Sequence, residues 1–350
     1  MSFIMNIRSV AKYESKILVR SWFFRIFTLL AVVFLGFFNF AMMLMEDNFG
    51  LWFAKSVSSN IPYLNLLLLN TGQAVVAVFL SSEFLKRDKK LDTSEVFYVR
   101  PLSNAEYVVG KIWGNLRVFL FLNLLVLAIV LAFNFMASGV TVDLPAYLVY
   151  FFLISIPTLI FIIGLSIFLM LLLNNQALTF ILLLGYIGLT LFYIQDKFYY
   201  LFDYMVYNLP LFKSTIVGFS NLELILNHRA IYFFAGLGFI FFTIFLFKRL
   251  PNARRSHYPW LFLSFCMFLL MVTAGFRHVR SILWEGEMRA LYTSINNKYV
   301  YEPKMAIDYY DISVEQKSET IRSVVGMEGT ALAASEVFIF CLNPGLRVEE

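Results

Sequence analysis

The residues able to do chemistry are few, and their spacing is wrong for the common reactions. Three histidines, His228, His257 and His278, lie far apart, and none has the HExxH spacing that sets two imidazoles and a carboxylate around zinc on one helical face. The pair Gly110 and Lys111 is followed by Ile112 and lacks the first glycine of a GxxxxGK cradle, so no phosphate loop of that type is present. Gly-x-Ser-x-Gly is also missing, and Cys266 and Cys341 supply neither a disulfide framework nor a metal-ligand spacing. The expectation is therefore a chain with no catalytic residue, no metal and no cofactor of its own.

What remains is a concentration of charge. Ser82 to Lys111 carries Lys86, Arg87, Lys89, Lys90, Arg100 and Lys111 against Glu83, Asp88, Asp92, Glu95 and Glu106, between two long apolar runs. Such a segment must sit in water, and basic residues close to spanning ends mark the cytoplasmic side. Within it Pro101 drives Arg100 out of the helical region, and Ser103 can cap a helix opening with Asn104, Ala105 and Glu106. The spacing predicts a short cytoplasmic helix that feeds through Lys111 into the next span, and a proline at Ala105 is expected to break it.

The elements around this loop follow from composition. Of 350 residues 60% are apolar and 15% charged, far from the balance of a soluble domain. The fold class expected is an all-α polytopic membrane protein. The net charge of +5 sits in loops beside apolar runs, which suits topology and anionic lipid rather than nucleic acid. The start of the chain lacks the pattern of a removable signal peptide.

Residues 1–21 read as an amphipathic helix in the membrane interface, with Arg8, Lys12, Lys16 and Arg20 four apart on one face. Six spans are expected over residues 22–247, with the charged loop at 82–111. The second span holds Asn65, Asn70, Thr71 and Gln73, which would face a bundle interior or a polar path. The fourth, Leu144 to Leu173, is interrupted by Pro157 and should be kinked or tilted. The aromatic segment 196–229 reads as two short helices dipping into the outer leaflet. A basic loop at 248–259, a seventh span at 260–276 and an extracytoplasmic partial β-domain at 277–350 complete the chain, with strands at Ala306 to Val314 and Glu336 to Leu342 separated by Gly326 and Gly329.

Sixteen Lys and Arg fall on the proposed cytoplasmic side against four outside before the tail, Lys55, Lys197, Lys213 and Arg229. That asymmetry puts the amino terminus inside and the carboxyl terminus outside the cell membrane. The histidines then fall outside, inside and outside, and are not expected to form one site.

The basic leader, the Arg100-Pro101-Leu102-Ser103 run with Tyr107 and Lys111, the six-span core and the aromatic segment together resemble the membrane subunit of an ABC-2 type exporter. The resemblance implies a coupling helix in the loop after the second span, docking on a separate ATPase subunit on the cytoplasmic side. Glu83, Arg87, Arg100, Pro101 and Lys111 are its candidates for transmission. It also implies a homodimer or heterodimer of permease subunits in the inner membrane, re-entrant outer helices at 196–229, and ATP hydrolysis by the partner. The seventh span and the stretch Pro303 to Leu342 are similar to a bacterial family in which such a permease is fused to an M1-aminopeptidase-like extracytoplasmic part. This sequence would be a truncated member, without the zinc motif, so peptidase activity is not carried over. The alternative is a non-transporting membrane scaffold or sensor that anchors the β-domain.

Overall fold

The computed structural model describes residues 2–44, 59–90, 102–136, 142–194, 196–209, 211, 213, 218–219, 221–247, 258–302, 305–317, 320–334, 337–340, 342 and 346–348, with only the backbone described at 2, 44 and 82–90. Seven of the described helices are long and apolar enough to cross a membrane, and one small antiparallel sheet accompanies them. The chain is a mostly α-helical, multi-pass membrane protein. It divides into two units: residues 1–215 with 219–278, and residues 216–218 with 279–350.

The first unit opens with α1 (Ser2–Arg20) and α2 (Trp22–Leu44), followed by α3 (Asn60–Lys90) and α4 (Asn104–Met136). The fourth span begins as α5 (Leu144–Tyr150), where the Asp143 side chain accepts the Ala146 N–H. It passes through a π-helical turn, Phe151–Ser155, and continues as α6 (Ile156–Leu173). Pro157 lacks the N–H that an α-helix would offer the carbonyl four residues back, so the interruption expected from the sequence takes the form of a π-turn. Asn174 ends α6 in the left-handed region at φ 51°, and Asn175 accepts from the amides of Ala177 and Leu178 to start α7 (Gln176–Leu189). A second π-turn, Thr190–Ile194, closes that span; α8 (Leu222–Leu246) and α9 (Tyr258–Lys298) follow.

Helix α6 is the centre of the bundle. Leu159, Ile162, Ile163 and Ile167 are wholly buried there. It crosses α8 at backbone contact distance: a Cβ on Gly164 would lie 2.7 Å from Gly236 O, and one on Gly236 2.7 Å from Ile160 O. Only glycine allows helices to approach so closely, and small residues at such crossings are how spanning helices gain packing energy that lipid does not supply. Helix α2 is peripheral, with Leu29, Val33 and Phe37 exposed.

Between α7 and α8 the two outer helices expected over 196–229 do not form among the described residues. Phe198–Tyr200 make one left-handed 3-10 turn, irregular chain follows, and Leu222 to Arg229 already belong to α8.

The second unit departs from expectation as well. Helix α9 runs to Lys298, well past residue 276, because no proline interrupts it. After it, β1 (Met305–Lys317) and β2 (Thr320–Ala331) form an antiparallel hairpin, with a register irregularity between Ile307 and Tyr309. Gly326 and Gly329, read as separators, lie inside β2, where a Cβ on Gly329 would meet Ala306 O at 2.5 Å. Val337 to Phe340 form no strand. Tyr310, Ile312 and Val314 share one face with Met327, Val325 and Ile321, and that face is exposed.

Candidate functional site

Ser103 and Glu106 start α4 with a reciprocal cap. The Glu106 amide donates to Ser103 Oγ at 3.2 Å, and the Ser103 amide donates to Glu106 Oε2 at 2.6 Å. The expected helix start is therefore present, but it is the first turn of the 33-residue span itself and not a separate short helix.

Three neighbours grip that turn and the two after it. Asn6 Nδ2 on α1 donates to Glu106 Oε1 at 2.9 Å. Asn104 Nδ2 donates to Phe247 O at 2.6 Å, where α8 ends, and the rings of Tyr107 and Phe247 stack 5.4 Å apart. Lys111 Nζ lies 2.9 Å from Glu14 Oε1 with both side chains buried, and 5.1 Å from the Tyr107 ring centroid. One turn further, Ser15 Oγ donates to Gly114 O at 2.7 Å, while Arg117 donates to Ser15 Oγ at 2.5 Å and to Ala11 O at 2.8 Å.

Close approach makes this network possible. A Cβ on Gly110 would stand 2.7 Å from Val10 Cβ, and one on Gly114 2.7 Å from Glu14 Cβ. Helix α1 therefore lies in the groove that Gly110 and Gly114 leave on α4. It buries Ala11, Glu14, Ser15 and Leu18 against protein, while Arg8, Lys12, Lys16 and Arg20 stay exposed. The basic face expected from the sequence is present, but the opposite face packs against a helix. The missed signal is the pair of glycines four apart in GKIWG.

Of the proposed transmission residues, Lys111 sits inside this braced start. Glu83 and Arg87 lie on the last turns of α3, with only their backbone described. Arg100 and Pro101 lie outside the described residues.

The four polar residues of the second span do not line one path. Asn65 exchanges hydrogen bonds with Asn39 on α2 at 2.7 and 3.1 Å. Thr71 turns back to Leu67 O at 2.9 Å on its own helix. Asn70 and Gln73 join Asn123 on α4 and Ser155 in the π-turn: Gln73 Nε2 donates to Asn70 Oδ1 at 2.5 Å, Asn123 Nδ2 to Gln73 Oε1 at 2.9 Å, and Ser155 Oγ to Asn123 Oδ1 at 2.8 Å. The cluster is buried and closed on itself, the arrangement that holds helices together in hydrocarbon.

A second constellation occupies the end of the bundle where α3 begins and α6 meets α5. Arg229, counted above as a charge in an outside loop, is fully buried in α8. Its Nε donates to Leu153 O at 2.7 Å, Nη1 to Tyr204 O at 2.9 Å and Nη2 to Thr158 Oγ1 at 2.9 Å. The irregular segment it touches is held by side chains throughout. His278 reaches Tyr199 O at 2.8 Å, His228 reaches Tyr200 O at 2.9 Å, and the Tyr232 hydroxyl donates to Leu201 O. Tyr63 donates to Val206 O at 3.1 Å, Tyr150 to Leu211 O at 2.8 Å and Ser59 to Lys213 O at 2.9 Å. Irregular backbone has no helical partners for its carbonyls, and these side chains supply the donors.

Within the segment, the carboxylate of Asp203 accepts the amides of Tyr207 and Asn208, each at 2.8 Å. Burial raises its pKa above the usual carboxylate value, opposed by those amides and by Arg229. His228 and His278, both placed on the outer side from the sequence, stand with ring centroids 5.0 Å apart; His257 lies outside the described residues. No cluster of metal-ligand residues occurs among the described residues. No protein-family model and no curated protein matches the chain.

Proposed function

We propose that this chain is the membrane subunit of an ABC-2 type exporter, with a six-span permease core driven by a separate ATPase on the cytoplasmic side. The observation that carries the reading is the braced start of α4. A reciprocal cap fixes its first turn, and Glu14, Ser15 and Asn6 of α1 together with Phe247 after α8 lock the next two. A push on the loop before Ser103 would pass through this junction into three helices at once. On this reading the amino terminus is cytoplasmic, the carboxyl terminus extracytoplasmic, and the subunit works as a dimer in the inner membrane. Glu83, Arg87, Arg100 and Pro101 belong to the docking loop. Lys111 is the residue that ties the loop's exit to α1, a positioning role.

The test is copurification after gentle solubilisation, followed by reconstitution with the ATPase so obtained. Arg87→Glu combined with Lys90→Glu should weaken docking by about tenfold or more, because like charges across an interface cost several kcal/mol. Unchanged stimulation of ATP hydrolysis by the double variant, or no ATPase in the purified material, would overturn the proposal.

A second reading, a non-transporting scaffold or sensor, is favoured by one observation: Asn70, Gln73, Asn123 and Ser155 satisfy one another and leave no open polar route between α3 and α4. It predicts a stable protein whose stability and partners are indifferent to nucleotide.

A further inference from the structure

Phe198, Tyr199 and Tyr200 have φ of 53°, 59° and 62°. Three successive left-handed L-residues are costly and persist only where the surroundings hold them. Here the hold is two imidazoles. His278 Nε2 lies 2.8 Å from Tyr199 O and His228 Nε2 2.9 Å from Tyr200 O. A carbonyl can only accept, so each Nε2 must carry a hydrogen, and in a neutral ring Nδ1 is then a bare lone pair. His228 Nδ1 is sealed from solvent with no hydrogen-bond partner. His278 Nδ1, by contrast, faces Leu224 O at 3.4 Å, an acceptor for a proton placed there.

The groups around the pair offer no counter-charge. On α8 stand the buried Arg229 and Tyr232, whose ring is 5.3 Å from that of His228. Glu223 on α8 and Arg277 on α9 are paired with each other at 2.9 Å and exposed. On the segment, Asp203 is occupied by the amides of Tyr207 and Asn208, and Tyr204 is buried against Tyr186 of α7. A proton on His228 would be a buried donor without an acceptor, beside a guanidinium and 5.0 Å from the other imidazole.

We propose that His228 and His278 form a latch released by protons: as neutral imidazoles they hold the left-handed turn closed, and protonation in mild acid frees residues 198–203 from α8 and α9. The closed latch has no acceptor for a proton on His228 Nδ1, whereas water solvates that proton once the latch opens. Protons therefore bind the open form more tightly, and lowering the pH through the ordinary imidazole range of about 6.5 shifts the balance toward it. The latch does not depend on the transport reading.

Hydrogen exchange of the full-length protein in nanodiscs, expressed as protection factors so that the intrinsic pH effect drops out, tests this at pH 7.5 and 5.5. Protection over residues 198–203 should fall about tenfold or more at the lower pH, the effect of one unit of difference in proton affinity. His228→Gln with His278→Gln, whose amides can still donate, should make protection independent of pH. If that pair does not fold, His228→Gln alone should reduce the pH response. Equal wild-type protection at both pH values, or an undiminished response in the variants, would overturn the proposal.

Discussion

Arg229 Nε donates at 2.7 Å to the carbonyl of Leu153, the acceptor that Pro157, four residues on, has no N–H to satisfy. A break in one helix is thus filled by a cation from another. Arg229→Met should strand this carbonyl and weaken the hold on Tyr204 O, at about 1–3 kcal/mol for each buried group left unpaired. Arg229→Lys should recover only part of that, since an ammonium's three donors radiate from one nitrogen and do not match acceptors served by Nε, Nη1 and Nη2. Adding Pro157→Ala to Arg229→Met restores a backbone donor for Leu153, so the double variant should melt above the single one in detergent.

The buried pair of Lys111 and Glu14 makes a prediction of opposite shape. Removing one partner, as in Lys111→Met or Glu14→Leu, should cost about 3–5 kcal/mol through the uncompensated charge left behind. Removing both should cost much less. Thermal unfolding of the two single variants and the double variant closes the cycle.

Docking of α1 depends on the groove at Gly110 and Gly114. Gly114→Leu should press α1 away, at about 1–3 kcal/mol of overpacking. Trypsin cleavage at the exposed Arg8, Lys12 and Lys16 should then quicken, while Gly36→Leu, with open space around it, should leave the rate unchanged.

Proline scanning separates the cap from the helix body. Ala105 lies in the first turn after the Ser103 cap, where no intrahelical donor is lost. Ala105→Pro should therefore be tolerated, contrary to expectation from the sequence. Val109→Pro, inside the helix, should cost about 3 kcal/mol or more and abolish any response of the bundle to the loop.

The Ser103 and Glu106 cap, the seven spans and the interruption at Pro157 could all be read from the sequence because each is a local rule: a spacing, a run length, a missing donor. What could not be read is pairwise. Glu14 and Lys111 are 97 residues apart and look like two solvated charges until the glycines of α4 bring their helices together. Arg229 looked like a loop charge because the apolar run after it begins at Ile231, yet its helix starts at Leu222. The polar residues of α3 were visible as a set but not as three separate arrangements, since their partners Asn39, Asn123 and Ser155 lie on other elements. The hairpin was half legible: its glycines suggest a break only until the close passage of Ala306 shows why Gly329 lies in the strand.

Between Tyr199 and Leu211, carbonyls of the described residues are answered from α3, α5, α6, α8 and α9. They work as a set of rivets driven through five independent plates. No one of those helices can slide along its axis by a full turn without shearing a rivet, so large rearrangements at this end must carry the plates together or strip the fastening outright. Sliding of one helix alone past the others is the kind of motion such a joint forbids.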